Sequence, residues 1–150
     1  MDRDDRMSEL FDDLLRENRP MGQQREVIKP EISKLPFGVN EAINVLRGNV
    51  QLSGNNIKAV AVTSSVVHEG KSSIAFRLAK SMASLEKRVL YLDGDIRNST
   101  TQVRYNILGD KEGLSEYLCG EAAKEKIIYH TDDPWLDMIF TGAKAPNPSA

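Results

Sequence analysis

Residues 57–97 constrain this chain more than any other part of it. An apolar run, Ile57 to Thr63, enters a polar loop that ends in Gly70-Lys71-Ser72. A stretch with Ile74, Leu78, Ala79, Met82 and Leu85 at helical spacing follows. A second apolar run, Arg88 to Leu92, then ends on Asp93 and Asp95. Strand, helix and strand in that order make a βαβ unit, which requires parallel strands and a right-handed crossover. Both runs are apolar enough to be buried on two faces, as strands of a parallel sheet are. The expectation is an α/β fold with a mainly parallel sheet.

The loop between the first run and the helix carries the chemistry. Residues 65–72 read Ser-Val-Val-His-Glu-Gly-Lys-Ser, a phosphate-loop pattern in which Ser65 stands at the first glycine. A helix that starts here offers unpaired N–H groups and a partial positive charge to phosphate oxygens. Gly70 lets the backbone come close. Lys71 reaches the β- and γ-phosphates of a nucleoside triphosphate, and the Ser72 hydroxyl ligates Mg²⁺. Ser65, Glu69 and Ser73 complete the candidate phosphate-binding residues. His68 reads as a solvent-facing loop residue. The bland alternative for the whole motif is a surface turn with a solvated lysine. The flanking strand and helix argue against it.

Asp93 and Asp95 stand two residues apart at a strand end. In open α/β sheets ligands bind at the carboxyl ends of strands, so both acids face the same rim as the phosphate loop. Two carboxylates beside a triphosphate can hold Mg²⁺, and one can accept a proton from an attacking hydroxyl. The competing reading is a pair of turn aspartates, because Asp-Gly is also a turn signal.

Composition excludes several classes. The chain has 150 residues and a formal net charge of −2, so it presents no basic field for nucleic acid. The single Cys119 rules out an intrachain disulfide, and it reads as a small buried apolar residue. No run reaches the ~18 apolar residues of a membrane span, which points to a cytoplasmic protein. Residues 1–36 form a separate region. Met7, Leu10, Phe11, Leu14 and Leu15 predict an amphipathic helix that docks on protein, and Pro20, Gly22, Pro30 and Pro36 predict a tether. Residues 37–150 are the folded domain. Within it, Asn40 to Leu52 reads as a helix capped by Asn40 and ended by Gly54-Asn55-Asn56, with Val39, Ala42, Ile43, Leu46 and Val50 as its apolar face. Gly113 to Leu118 reads as a short helix, and Lys126 to Tyr129 and Leu136 to Phe140 as short strands.

These motifs resemble the cytoplasmic kinase domain of the bacterial tyrosine kinases of capsular and exopolysaccharide synthesis, the CpsD/CapB type. Leu90-Tyr91-Leu92-Asp93-Gly94-Asp95-Ile96-Arg97 is similar to that family's aliphatic run followed by D-x-D-x-R, and Ser65 to its small residue in the phosphate loop. Glu41 to Arg47, Gly113 to Leu118 and Pro146-Asn147-Pro148-Ser149 extend the similarity over about residues 33–149. The resemblance implies a P-loop NTPase-like three-layer fold and transfer of the ATP γ-phosphate to a protein tyrosine. It implies Lys71, Asp93, Asp95 and Arg97 as catalytic residues, and Ser72, Asp93 and Asp95 around Mg²⁺. The division of proton acceptance and metal binding between Asp93 and Asp95 stays open. It also implies a membrane activator of the polysaccharide machinery as partner, which would hold the protein at the inner face of the membrane.

The chain departs from the family pattern in three ways. The family's further aspartate, on a later strand, would follow Ala150, so the expectation is a truncated kinase with an incomplete sheet. The family's tyrosine-rich tail would likewise lie beyond Ala150, and the expectation is a chain without it. Asn44 replaces the first arginine of the E-x-x-R-x-x-R helix that builds the family's rings, so homo-oligomerisation through Glu41 to Arg47 has only part of its motif. The rival readings are a partitioning ATPase of the MinD/ParA type, which the absence of a lysine at Val66 disfavours, and a non-catalytic nucleotide-binding assembly subunit.

Overall fold

The computed structural model describes residues 2–16, 26–63, 71–96 and 99–143. Four strands form one sheet: β1 (Val27–Ile28), β2 (Val89–Leu92), β3 (Tyr129–Thr131) and β4 (Leu136–Ile139), in the order β1-β3-β4-β2. β2 runs parallel to β4 and β1 parallel to β3, while β3 and β4 are antiparallel. The helices are α1 (Arg3–Leu14), α2 (Phe37–Leu52), α3 (Lys71–Ala83), α4 (Thr101–Arg104), α5 (Leu114–Leu118) and α6 (Lys124–Ile127).

Alternation along β2 and β4 sends side chains to two faces. Tyr91, Leu136, Met138 and Phe140 pack with Phe76, Ala79 and Ala83 of α3. Leu90, Leu92 and Ile139 pack on the other face with Leu10 of α1 and Leu114 and Tyr117 of α5. Helices therefore cover both faces, as the apolar Val89–Leu92 run requires.

The amphipathic N-terminal helix forms where its periodicity placed it. Asp2 caps it by accepting the Asp5 N–H at 2.9 Å, and Asp4 and Asp5 in its first turn favour its dipole. It docks on its own domain: Leu10 is fully buried against α5 and α6, and Lys124 donates to the Asp13 carboxylate. The expected tether carries a strand as well, because Val27–Ile28 pairs with β3 and the Asp132 N–H donates to the Ile28 carbonyl at 3.0 Å.

Several expectations are corrected. Ile57 to Thr63 is not a strand. β4 already has β3 and β2 on its two sides, and the segment joins no ladder, so Ile57, Val60 and Val62 stay exposed. The expected βαβ unit therefore lacks its first strand. The second helix starts at Phe37 rather than after Asn40. Pro36 fixes the turn, and its carbonyl accepts both the Val39 and Asn40 N–H groups at 3.1 Å. Of its expected apolar face Ile43 is buried, while Val39 and Leu46 are exposed. The segment expected as a strand from Lys126 is helical through Ile127, and pairing begins only at Tyr129, opposite Met138. Cys119 is exposed rather than buried, because it caps α5 beyond that helix's packed residues.

Candidate functional site

Asp93 directly follows β2. Its N–H donates to the Ile139 carbonyl at 3.0 Å, which carries the β2–β4 ladder to the strand end. Its side chain is 4% exposed. One carboxylate oxygen, Oδ2, accepts the Ser99 hydroxyl at 2.5 Å and the Thr101 hydroxyl at 2.6 Å. The other, Oδ1, accepts the Asp95 N–H at 3.1 Å, which closes the Asp93-Gly94-Asp95 turn. A buried carboxylate is tolerated only when donors surround it, and three charge-assisted bonds do so here. The turn reading of the aspartate pair is what the hydrogen bonds show: Asp93-Gly94-Asp95 closes a turn at the end of β2. Asp95 is half-buried beside it.

Ser99 and Thr101 were not among the sequence-derived site residues. The signal was present as the hydroxyl run Ser99-Thr100-Thr101 just past the acidic strand end. Thr101 opens α4 and is 1% exposed, so its hydroxyl has no competing solvent.

Lys71 and Ser72 begin α3, as the phosphate-loop reading requires, and Ser73 is half-buried in its first turn. The side chains of Lys71 and Ser72 lie outside the described parts of the structure, as do Ser65, Val66, His68, Glu69, Gly70, Arg97 and the segment 144–150. What the structure brings together is the helix that starts at Lys71 and the strand that ends at Asp93. An aromatic trio ties them. Phe76, on α3, meets Tyr91 of β2 edge-on at 5.3 Å and stacks on Tyr105 at 4.2 Å. Tyr91 lies two residues before Asp93. Burial and the nearby Asp93 charge push its phenol up to about 12, against a bond with Thr101 that lowers it.

The same rim is closed by the segment Gly113 to Leu118. The Leu114 N–H donates to the Phe140 carbonyl at 2.8 Å and the Ser115 N–H to the Thr141 carbonyl at 2.9 Å. Glu116 accepts the N–H groups of Gly113 at 2.7 Å and Ala143 at 2.9 Å. A side chain at Gly113 has no room, since its Cβ would lie 2.2 Å from the Phe140 carbonyl oxygen. On α2, Glu41 is exposed but Arg47 is turned inward. It donates to the Ser81 hydroxyl of α3 at 3.0 Å, and Ser81 donates to Asn44 at 3.1 Å.

No cluster of metal-binding side chains exists among the described residues. Mg²⁺ held through one or two carboxylates and substrate phosphates needs none. No helix among the described residues is long and apolar enough to cross a membrane.

Helices on both faces of a mostly parallel sheet, a helix opening at Lys71 and an acid-tipped neighbouring strand define an α/β domain of the P-loop NTPase type. No family model matches the chain. It is 38% identical over 110 residues to the tyrosine-protein kinase CpsD of Streptococcus agalactiae, covering 73% of this chain and 48% of that one. It is 31% identical over 138 residues to the tyrosine-protein kinase YwqD of Bacillus subtilis, covering 90% and 56%. The solved BceF tyrosine kinase domain superposes with a TM-score of 0.64 at 32% identity, covering 73% of this chain and 44% of that domain. The chain is a homologue of the bacterial tyrosine-protein kinases of the CpsD type, and spans about half the length of the curated relatives it matches.

Proposed function

We propose that this chain carries the nucleotide-binding part of an ATP-dependent protein-tyrosine kinase that regulates capsular or exopolysaccharide biosynthesis. The observation that carries this reading is the tie between the Lys71 helix and the Asp93 strand end through Phe76 and Tyr91. Two halves of a phosphoryl-transfer site share one rim.

Each residue then has a task. The N-terminus of α3, with Gly70 and the Lys71 ammonium, binds the triphosphate, and Ser65, Glu69 and Ser73 shape the loop around it. Ser72 and Asp95 would hold Mg²⁺, which would supply neutralising charge at the triphosphate. Asp93 is committed to Ser99, Thr101 and the Asp95 N–H, so it positions Asp95 and presents a fixed negative charge. Arg97 steadies the acidic turn or the phosphates.

The partners follow from the same reading. Residues 37–150 carry the kinase motifs, and α1 and β1 from residues 1–36 complete the packed face and the sheet of the same unit. A membrane protein of the polysaccharide machinery would recruit the kinase to the inner face of the membrane. Glu41 is exposed for contact with a second copy, although Arg47 is engaged within the chain.

The test is incubation with ATP and Mg²⁺, read by phosphotyrosine formation and by ADP release. Phosphotyrosine on an added tyrosine-rich acceptor, lost in Asp95→Asn, supports the reading. ADP release without phosphotyrosine supports an ATPase instead.

A further inference from the structure

A cavity of about 390 Å³ opens between the first turns of α3, residues 31–33 and the end of α4. Two guanidinium groups line it, Arg77 from α3 and Arg104 from α4, with Ser73 one turn before Arg77. Arg77 is braced by donating to the Ser33 carbonyl at 3.0 Å, yet its buried Nε has no partner. The Tyr105 ring lines the same cavity, 3% exposed and held flat on Phe76.

The Tyr105 hydroxyl is buried and has no partner at good hydrogen-bond geometry, the Ser73 and Arg104 side chains lying near it but too loosely to satisfy it. A buried polar group left in this way costs about 1–3 kcal/mol, and such groups in folded proteins call for a cause. Burial raises its pKa, while Arg104, Ser73 and Arg77 pull the other way. At neutral pH it is therefore an O–H donor. Two cations and a phenol donor converge on one space. The single carboxylate on the lining, Glu31, is already bonded to the Asn106 amide at 3.0 Å.

We propose that this cavity binds a phosphate monoester dianion. Arg77 and Arg104 take its oxygens, as planar guanidinium groups do. The Tyr105 hydroxyl donates a further bond, and Ile32 and the Tyr105 ring flank the organic part. The volume falls in the range of small-molecule sites (~300–1,000 Å³) and exceeds what a bare phosphate fills. The site does not rest on the kinase reading. It uses none of the residues assigned to the triphosphate except Ser73, at its edge.

Three probes separate the sources of such a group: phosphotyrosine, AMP and inorganic phosphate, each titrated into the full chain and followed by calorimetry and ³¹P line broadening. Phosphotyrosine or AMP binds more tightly than inorganic phosphate, and the tighter of the two names the source; inorganic phosphate binding as tightly as either would overturn the monoester assignment. Lys71→Met leaves this binding unchanged. Arg77→Gln weakens it about tenfold or more, as loss of one charged bond predicts. Tyr105→Phe, which removes one oxygen from an intact wall, weakens it several-fold even if Arg77→Gln fails to fold. Glu31→Gln tightens it. Binding lost in Lys71→Met but unchanged in Tyr105→Phe would assign the probe to the phosphate loop and overturn the proposal. So would failure of all three probes to bind.

Discussion

The Thr101 hydroxyl donates to the Asp93 carboxylate at 2.6 Å, and both side chains are buried. The bond joins the first residue of α4 to the end of β2, so the rim's main acid is fixed by a residue eight positions further on. Replacing Thr101 with valine keeps the shape and removes the donor, a change cores do not treat as conservative. Thr101→Val is expected to cost about 2 kcal/mol, in the range of a hydrogen bond to a charged group. Thr101→Ser keeps the bond and costs less. Urea unfolding of the two variants checks this, and equal losses would show that the methyl group rather than the hydroxyl matters.

Gly113 sets the closure of the same rim. A Cβ there would lie 2.2 Å from the Phe140 carbonyl oxygen and 2.5 Å from the Gly142 nitrogen, both backbone atoms that cannot rotate away. Gly113→Ala should destabilise by about 1–3 kcal/mol through overpacking. The loss should appear as a lower thermal midpoint. An unchanged midpoint would mean that the Gly113–Glu116 turn sits away from β4.

Acid stability should depend on Asp13. The bond from Lys124 holds its carboxyl below the ordinary value of 3.8, with burial opposing and the Lys124 and Arg16 charges adding to the lowering. A folded-state pKa below the unfolded one stabilises the fold above the unfolded value, and that gain is lost as pH falls through the folded value. Asp13→Asn should therefore be less stable than the parent at neutral pH and match it well below pH 3.8. Lys124, raised above 10.5 by the same partner, should lose its contribution only as strongly alkaline pH passes its folded value. Denaturant midpoints across pH measure both limbs, and a constant difference between the two proteins would contradict the linkage.

The chain's own tyrosines should be poor phosphate acceptors. Tyr91, Tyr105, Tyr117 and Tyr129 are each 7% exposed or less, and Tyr129 spends its hydroxyl on the Glu112 carbonyl at 2.8 Å. An active tyrosine kinase added in trans should leave all four unmodified in the folded chain and modify them after urea treatment. Peptide mass spectrometry decides it, and stoichiometric phosphate on any of them under native conditions would contradict the burial.

The sequence made the site's frame legible where a strong local pattern met a packed partner. Ile74 to Met82 repeats with helical period, and Val89 to Leu92 is apolar throughout, so α3, β2 and the position of Asp93 could be read directly. The hydroxyls of Ser99 and Thr101 could not, because their approach to Asp93 depends on how the chain turns into α4. Val27–Ile28 is too short to carry a period and becomes a strand only through β3. Ile57 to Thr63 shows the converse: its apolar pattern reads as a strand, yet the places beside β4 are filled. Cys119 misled for a similar reason, since its burial depends on which side of α5 the helix ends.

If the helix opening at Lys71 and the strand end at Asp93 form one nucleotide site, ATP binding depends on both. Calorimetric titration of ATP with and without Mg²⁺ into the parent chain, Lys71→Met and Asp95→Asn tests it most directly. Binding by the parent, at least tenfold weaker binding by Lys71→Met and loss of the Mg²⁺ enhancement in Asp95→Asn are the expected results. ATP affinity unchanged in Lys71→Met would contradict it.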